Sequence, residues 1–300
     1  MARPARTVTA PETTLGLTEP EDLTLWSVTT IIGVLEKPAL LYWAAEQTAL
    51  AAIHSEATWR GKLTDDDPAC QHLDATCDAV KWLRDARFRR PKGKLTAAER
   101  GTAVHEACEN YALTGTRPQV EPFVTPYLDS FDDWLQRFQP SYQATEVAVY
   151  HPNLGYAGTC DAFLTIDETR FIVDYKTSEK TTDGRGKPTR PYPEQVGLQL
   201  AAYAHAEQAA VWRPRRVEKF RRRYYLLSPD EQALAQPVPE VDTGLVIHIT
   251  PKTCDAYPID VGRKAFDGFL AALDLFRWSE QDSRTVMGHP LTPAPKEGDR

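Results

Sequence analysis

Gly158-Thr-Cys-Asp161-Ala-Phe-Leu-Thr-Ile166-Asp-Glu-Thr169-Arg-Phe-Ile-Val-Asp174-Tyr-Lys176 reads as two strands joined by a short polar turn. Strand side chains alternate with a period of two. Phe171, Val173 and Tyr175 therefore share one face of the second strand, and Ile172, Asp174 and Lys176 share the other. A carboxylate and an ammonium thus stand two positions apart in an otherwise apolar strand. A buried charge is costly unless it is paired or binds a metal, so this pair is poor core material. If the turn is the two-residue Asp167-Glu168, Asp161 falls opposite Asp174 on the same face.

Two carboxylates held close repel each other unless a cation lies between them. Oxygen ligands of this kind suit Mg2+ or Mn2+, and such an ion can activate water for in-line attack on a phosphodiester. Lys176 is then placed to orient the water or to offset charge growing on a phosphate. On residue types alone, a surface hairpin carrying one Asp174–Lys176 salt bridge is the stronger reading, because Asp-x-Lys is common.

Further out, Thr96-Ala-Ala-Glu99 has the pattern of a capping box, opening a helix in which Val104, Ala107, Cys108 and Tyr111 form the apolar stripe. His105 and Glu109 lie one turn apart on that helix. A second helix is expected over Glu194 to Gln208, with Gln195, Gln199 and Tyr203 on one face at four-residue spacing. The stretch between the strand and this helix, Thr177 to Pro193, reads as a long loop in which Arg185, Lys187 and Arg190 are candidates to meet a phosphate backbone. Another basic run holds seven Lys and Arg between residues 81 and 94, with Trp82 and Phe88 among them, and reads as a nucleic-acid groove or a solvated helix face. Glu146, on a strand expected at Thr145 to Tyr150, reads as an exposed strand carboxylate ahead of an auxiliary site residue.

The chain has 300 residues, 42% of them hydrophobic, which is ample for a sizeable core. A net charge of −7 argues against a protein that coats nucleic acid without selectivity. The expected layout is an arm over 1–24, a helical N-terminal region over 25–95, a catalytic core over 96–280 and a Pro-rich tail over 281–300. Neither a signal peptide nor a run of about 20 apolar residues is found, so a cytoplasmic protein without a membrane contact is expected. Five cysteines, at 70, 77, 108, 160 and 254, are an odd count without CxxC spacing and read as reduced thiols.

Asp161 followed thirteen residues on by Asp174-Tyr175-Lys176 resembles the PD-(D/E)xK nuclease motif. Gln199-Leu-Ala-Ala-Tyr203 resembles the QxxxY motif of its RecB-like branch, and Gly101-Thr-Ala-Val-His105-Glu106 is similar to the histidine motif of that branch. The three stand in the family's order across residues 101 to 203. The resemblance implies an α/β (α+β) fold with a mixed central sheet flanked by helices and an N-terminal helical elaboration. It implies a metal-dependent DNA exonuclease of recombination, repair or replication. His105, Asp161, Asp174 and the Tyr175 carbonyl would hold Mg2+ or Mn2+, Lys176 would serve catalysis, and Gln199 and Tyr203 would position DNA. Single-stranded or duplex DNA ends are the implied partner, together with a separate helicase or recombination protein. The four-cysteine iron–sulfur cluster of some RecB-like exonucleases is not expected, because Cys254 stands alone in the C-terminal third. Two other readings share the same residues: a DNA-binding module without catalysis, and a structure-specific or flap endonuclease.

Overall fold

The computed structural model describes residues 22–35, 38–88, 96–182, 186–191, 193–210, 214–219, 222–288 and 290. The chain divides into two compact units, one made of residues up to Val34 and from Gly101 onward, the other of Leu35–Arg100.

The smaller unit contains helices α2 (Pro38–His54), α3 (Glu56–Arg60), α4 (Pro68–Gln71) and α5 (Asp78–Arg84), following α1 (Val28–Ile31) of the larger unit. Pro38 opens α2, the position where its missing N–H is harmless. The unit's core is small: Cys70, Cys77 and Ala79 are buried, with Trp59, Leu63, Ala69 and Val80 packed around them.

The larger unit is a mixed sheet between helices. Its strands are β1 (Leu23–Ser27), β2 (Ser141–His151), β3 (Tyr156–Ile166), β4 (Thr169–Thr177), β5 (Gln208–Ala210), β6 (Arg215–Lys219), β7 (Arg222–Leu227), β8 (Gln236–Pro237), β9 (Thr243–Ile249) and β10 (Cys254–Ile259). Its helices beyond α1 are α6 (Ala97–Thr114, begun in the smaller unit), α7 (Thr125–Phe138), α8 (Pro193–Ala204), α9 (Pro229–Ala233) and α10 (Arg263–Arg277). The main path of the sheet is β10-β9-β4-β3-β1-β7-β6, with β2 on the opposite edge of β3 and β5 and β8 beyond it. The pairs β1–β3 and β4–β9 are parallel and the rest antiparallel.

Period-two alternation sorts the side chains into separate cores on the two faces. Ala162, Leu164, Val173, Tyr175, Leu245 and Ile247 face α6 and α7. Phe163, Ile172 and Val246 face α8 and α10, which supply Leu200, Phe266, Phe269 and Leu273. Helix α10 is amphipathic in the simplest way, with Phe266, Phe269, Leu273 and Phe276 on one stripe. The expected turn forms: β3 and β4 pair from Ile166↔Thr169 to Ala162↔Val173, leaving Asp167 and Glu168 as a two-residue loop. Both have positive φ (44° and 70°), the backbone of a primed hairpin turn. The capping box forms too. The Thr96 N–H donates to Glu99 Oε2 (2.8 Å) and the Glu99 N–H to Thr96 Oγ1 (3.2 Å).

Some segments differ from the sequence reading. Residues 25–27, assigned to a helical N-terminal region, are the end of β1 and lie between β3 and β7. The last α-helix, α10, begins at Arg263, after strand β10. Short strands such as these are decided by distant pairing partners rather than by local pattern. No helix among the described residues is long and apolar enough to cross a membrane.

Candidate active site

The site begins where a strand edge runs out of partners. Along one edge β3 is paired with β2 through most of its length. The other edge is shared: β1 takes Tyr156 and Ala157, and β4 takes Ala162 to Ile166. From Gly158 to Asp161 that edge has no backbone ladder among the described residues. Asp161 and Asp174 are the next pair in register after Ala162↔Val173, so the two carboxylates stand where the hairpin splays.

Side chains fill the opening from both faces. Asp161 Oδ2 accepts the backbone N–H of Tyr175 (2.5 Å), a side-chain bond in place of a ladder bond. From α8, Gln199 Nε2 donates to Asp174 Oδ1 (2.9 Å) and to the Tyr203 hydroxyl (3.1 Å). Four-residue spacing on one helix face lets Gln199 and Tyr203 act together. The Tyr203 ring lies on the backbone of Gly158: a Cβ there would stand 2.2 Å from Tyr203 Cε1. From α6, on the other side of the sheet, His105 brings Nδ1 to 3.9 Å from Asp161 Oδ2. Lys176 Nζ forms an ion pair with Asp174 Oδ2. That oxygen is buried and takes no hydrogen bond of good geometry, so the ammonium is what faces it. Tyr175 turns its ring to the opposite core, where its hydroxyl hydrogen-bonds Tyr142 (2.9 Å), so only its backbone belongs to the site.

The electrostatics follow from burial and like charge. Burial, and next the neighbouring Asp174, push the Asp161 carboxyl well above the usual carboxylate range; the Tyr175 N–H and Lys176 pull it back in part. Burial lowers His105 to about 4 against the upward pull of Asp174. Its side chain keeps 30% exposure. At neutral pH the imidazole is uncharged, the form that ligates a metal.

Glu146 departs from the solvated strand position read from sequence. It is half-buried with φ of 49°, on β2 between the register pairs Thr145↔Ala162 and Val147↔Cys160, at the level of Asp161 on β3. Its charge contributes to the rise of the Asp161 carboxyl. Strand alternation carries no signal for it, because a left-handed non-glycine residue breaks the alternation. His248 also went unread. It is buried on β9 beside Lys176 in the parallel register. Of the loop cations, Lys187 is exposed and the Arg190 guanidinium lies 5.8 Å from the centre of the Tyr257 ring; Arg185 lies outside the described residues. In the other basic run, Lys81 pairs with Asp78 (3.1 Å), and residues 89–94 lie outside the described residues.

Among the described residues no three His, Cys, Asp or Glu side chains converge on a point that could hold a metal ion. The donor chemistry is nonetheless that of a hard divalent cation: two close carboxylates, one with a buried oxygen lacking a hydrogen bond, beside a neutral imidazole.

No family model matches the chain, and no curated protein matches it. A solved structure, described as the crystal structure of SSO0001, is similar at 17% identity over 52% of this chain, with a TM-score of 0.27. The similarity spans 58% of that protein's own length, and at this TM-score it carries no argument.

Proposed function

We propose that the chain is a metal-dependent deoxyribonuclease with a PD-(D/E)xK core of the RecB-like kind, acting as an exonuclease on DNA ends in the cytoplasm. One observation carries the reading: Asp161 and Asp174 meet where β3 and β4 part, with Lys176 on Asp174 and the Gln199–Tyr203 pair behind it. An apolar fold has no structural need for that arrangement, whose like-charge repulsion is paid for by the fold. His105, Asp161, Asp174 and the Tyr175 carbonyl are the groups that would hold Mg2+ or Mn2+. Bound there, the cation would supply Lewis acidity and a more acidic water.

The chain's own residues account for the rest. Lys176 exchanges its contact with Asp174 for the charge growing on the scissile phosphate. Gln199 holds the Asp174 carboxylate in place, and Tyr203 holds Gln199. The Tyr175 N–H fixes Asp161. DNA delivery by a separate helicase or recombination protein suits the acidic chain, whose net charge of −7 gives weak attraction to polyanions.

Lys176 already lies on Asp174, where a metal-binding carboxylate would be expected to face a metal cation. That favours, as a second reading, a DNA-binding module without catalysis. An end-labelled assay on linear single- and double-stranded DNA, with a circular control, in Mg2+, Mn2+ or EDTA, separates the readings. Metal-dependent loss of linear DNA only, absent in Asp174→Ala and Lys176→Ala, is the expected result. Cleavage of the circle points to an endonuclease. Binding without cleavage under any metal points to the module.

A further inference from the structure

The smaller unit brings together two cysteines that the sequence separates by six residues. Cys70 Sγ and Cys77 Sγ lie 2.8 Å apart, both as free thiols and both buried, at 6% and 0% exposure. The segment between them is tied down. The Asp74 N–H donates to the Ala69 carbonyl (2.9 Å), and the Cys77 N–H donates to the Asp74 carbonyl (3.1 Å). Asp74 Oδ1 also accepts the Thr76 N–H (2.6 Å), and Leu73 takes a left-handed φ of 51° to complete the turn. Both thiols are therefore presented to each other by fixed backbone. The other described cysteines, Cys108, Cys160 and Cys254, are also buried, and the Cys160 thiol donates to the Val147 carbonyl.

We infer that Cys70 and Cys77 are an oxidation site, forming an intramolecular disulfide that staples α4 to the start of α5 under hydroperoxide. A disulfide needs its sulfurs at about 2.05 Å, so closure asks the two sulfurs to approach by under 1 Å. The chemistry balances in two steps. Cys70, the less deeply buried of the two thiols, takes one oxygen from the peroxide to become a sulfenic acid, releasing water or an alcohol. The Cys77 sulfur then attacks the Cys70 sulfur, displacing that oxygen as a second molecule of water. Together the two sulfurs lose two electrons and two protons, and the O–O bond is reduced. Thiol reductants reverse the bond. The core here is thin, so a covalent tie between its two central residues matters more than it would in the larger unit.

The test does not depend on any enzymatic activity. The intact protein is treated with hydrogen peroxide, unfolded, alkylated and weighed. The reduced chain takes an alkyl group on each of its five cysteines, and the oxidised chain takes three, the five less the pair. Peptide mapping should place the link between Cys70 and Cys77, and dithiothreitol should restore five. Cys77→Ser should take four alkyl groups untreated, and peroxide should form no intramolecular link in it. Five alkyl groups after peroxide, a link between other cysteines, or a sulfinic acid at Cys70 in the wild type would overturn the inference. Cys70→Ala, whose smaller side chain is gentle on the core, gives a second non-bridging variant should Cys77→Ser fail to fold.

Discussion

Asp161 is where the fold and the proposed chemistry pull apart. Its carboxyl is raised by burial and by Asp174. A raised carboxyl favours protonation in the folded chain. Its contribution is therefore lost as pH rises from the ordinary value near 4 through the raised one. Asp161→Asn removes the ionisation while leaving an oxygen to accept the Tyr175 N–H. In EDTA at pH 8 it should be more stable than wild type by roughly 1 kcal/mol, about 2–4 °C in Tm for a chain of this size. At pH 5 the gain should shrink, and a destabilised variant at pH 8 would show that repulsion is not what raises the group. His105 works the other way. Lowered to about 4, it withholds stability as pH drops from about 6.5 toward 4, because only the unfolded chain takes the proton there. Mn2+ binding at pH 6 should release no protons from His105, which is already neutral there. Calorimetry in two buffers of different ionisation heat counts them. Gly158→Ala is the sharpest steric test. The new methyl meets the Tyr203 ring, so a loss of about 1–3 kcal/mol in urea unfolding is expected, together with lower cleavage. Tyr203→Leu in the same chain should recover stability and not cleavage.

At the level of elements, the β3–β4 hairpin was legible because its information is local. Alternation gave the faces, and the polar pair Asp167-Glu168 gave an even turn. The Thr96–Glu99 capping box and the shared face of Gln199 and Tyr203 were local in the same sense. What stayed hidden needed a partner far along the chain. β1 is five residues whose strand character comes from β3 and β7. β6 is polar and becomes a strand by pairing with β7. Glu146 needed the bulged register of β2, and the Cys70–Cys77 contact needed a fold around a turn. The hairpin turn also shows imperfect local chemistry, since neither Asp167 nor Glu168 is glycine although both sit at positive φ. Asp167→Asn with Glu168→Gly should raise stability by about 1 kcal/mol, read as a higher urea midpoint with unchanged slope. An unchanged or lower midpoint would show that the turn is not strained. Arg170 fastens this turn to the strand beyond, through its N–H and guanidinium on Asp242 (both 2.8 Å). The same contacts hold the Asp242 carboxyl down to about 2.

On the scale of the whole larger unit, β1 is the bridge of the sheet, pairing with β3 on one side and β7 on the other. Leu25 on it is fully buried. Leu25→Ala should cost about 2–5 kcal/mol. Amides of β7 should then exchange with solvent faster while those of β4 and β9 keep their protection; uniform acceleration would mean the sheet opens as one. The gap that β1 and β4 leave on β3 has a consequence for the order of assembly. Where a neighbouring strand would lie, there is the Tyr203 ring on Gly158, brought by α8, and the Asp161 carboxylate on the Tyr175 amide, while His105 comes with α6 on the opposite face. The hairpin can form early from its own residues, but its two carboxylates gain their companions only once α6 and α8 are both seated. A chain still being made, or half refolded, would hold the motif without the machine. If the proposed function holds, refolding followed by circular dichroism and by DNA cleavage should therefore show activity trailing secondary structure; activity that returns together with the circular dichroism signal would count against this order of assembly.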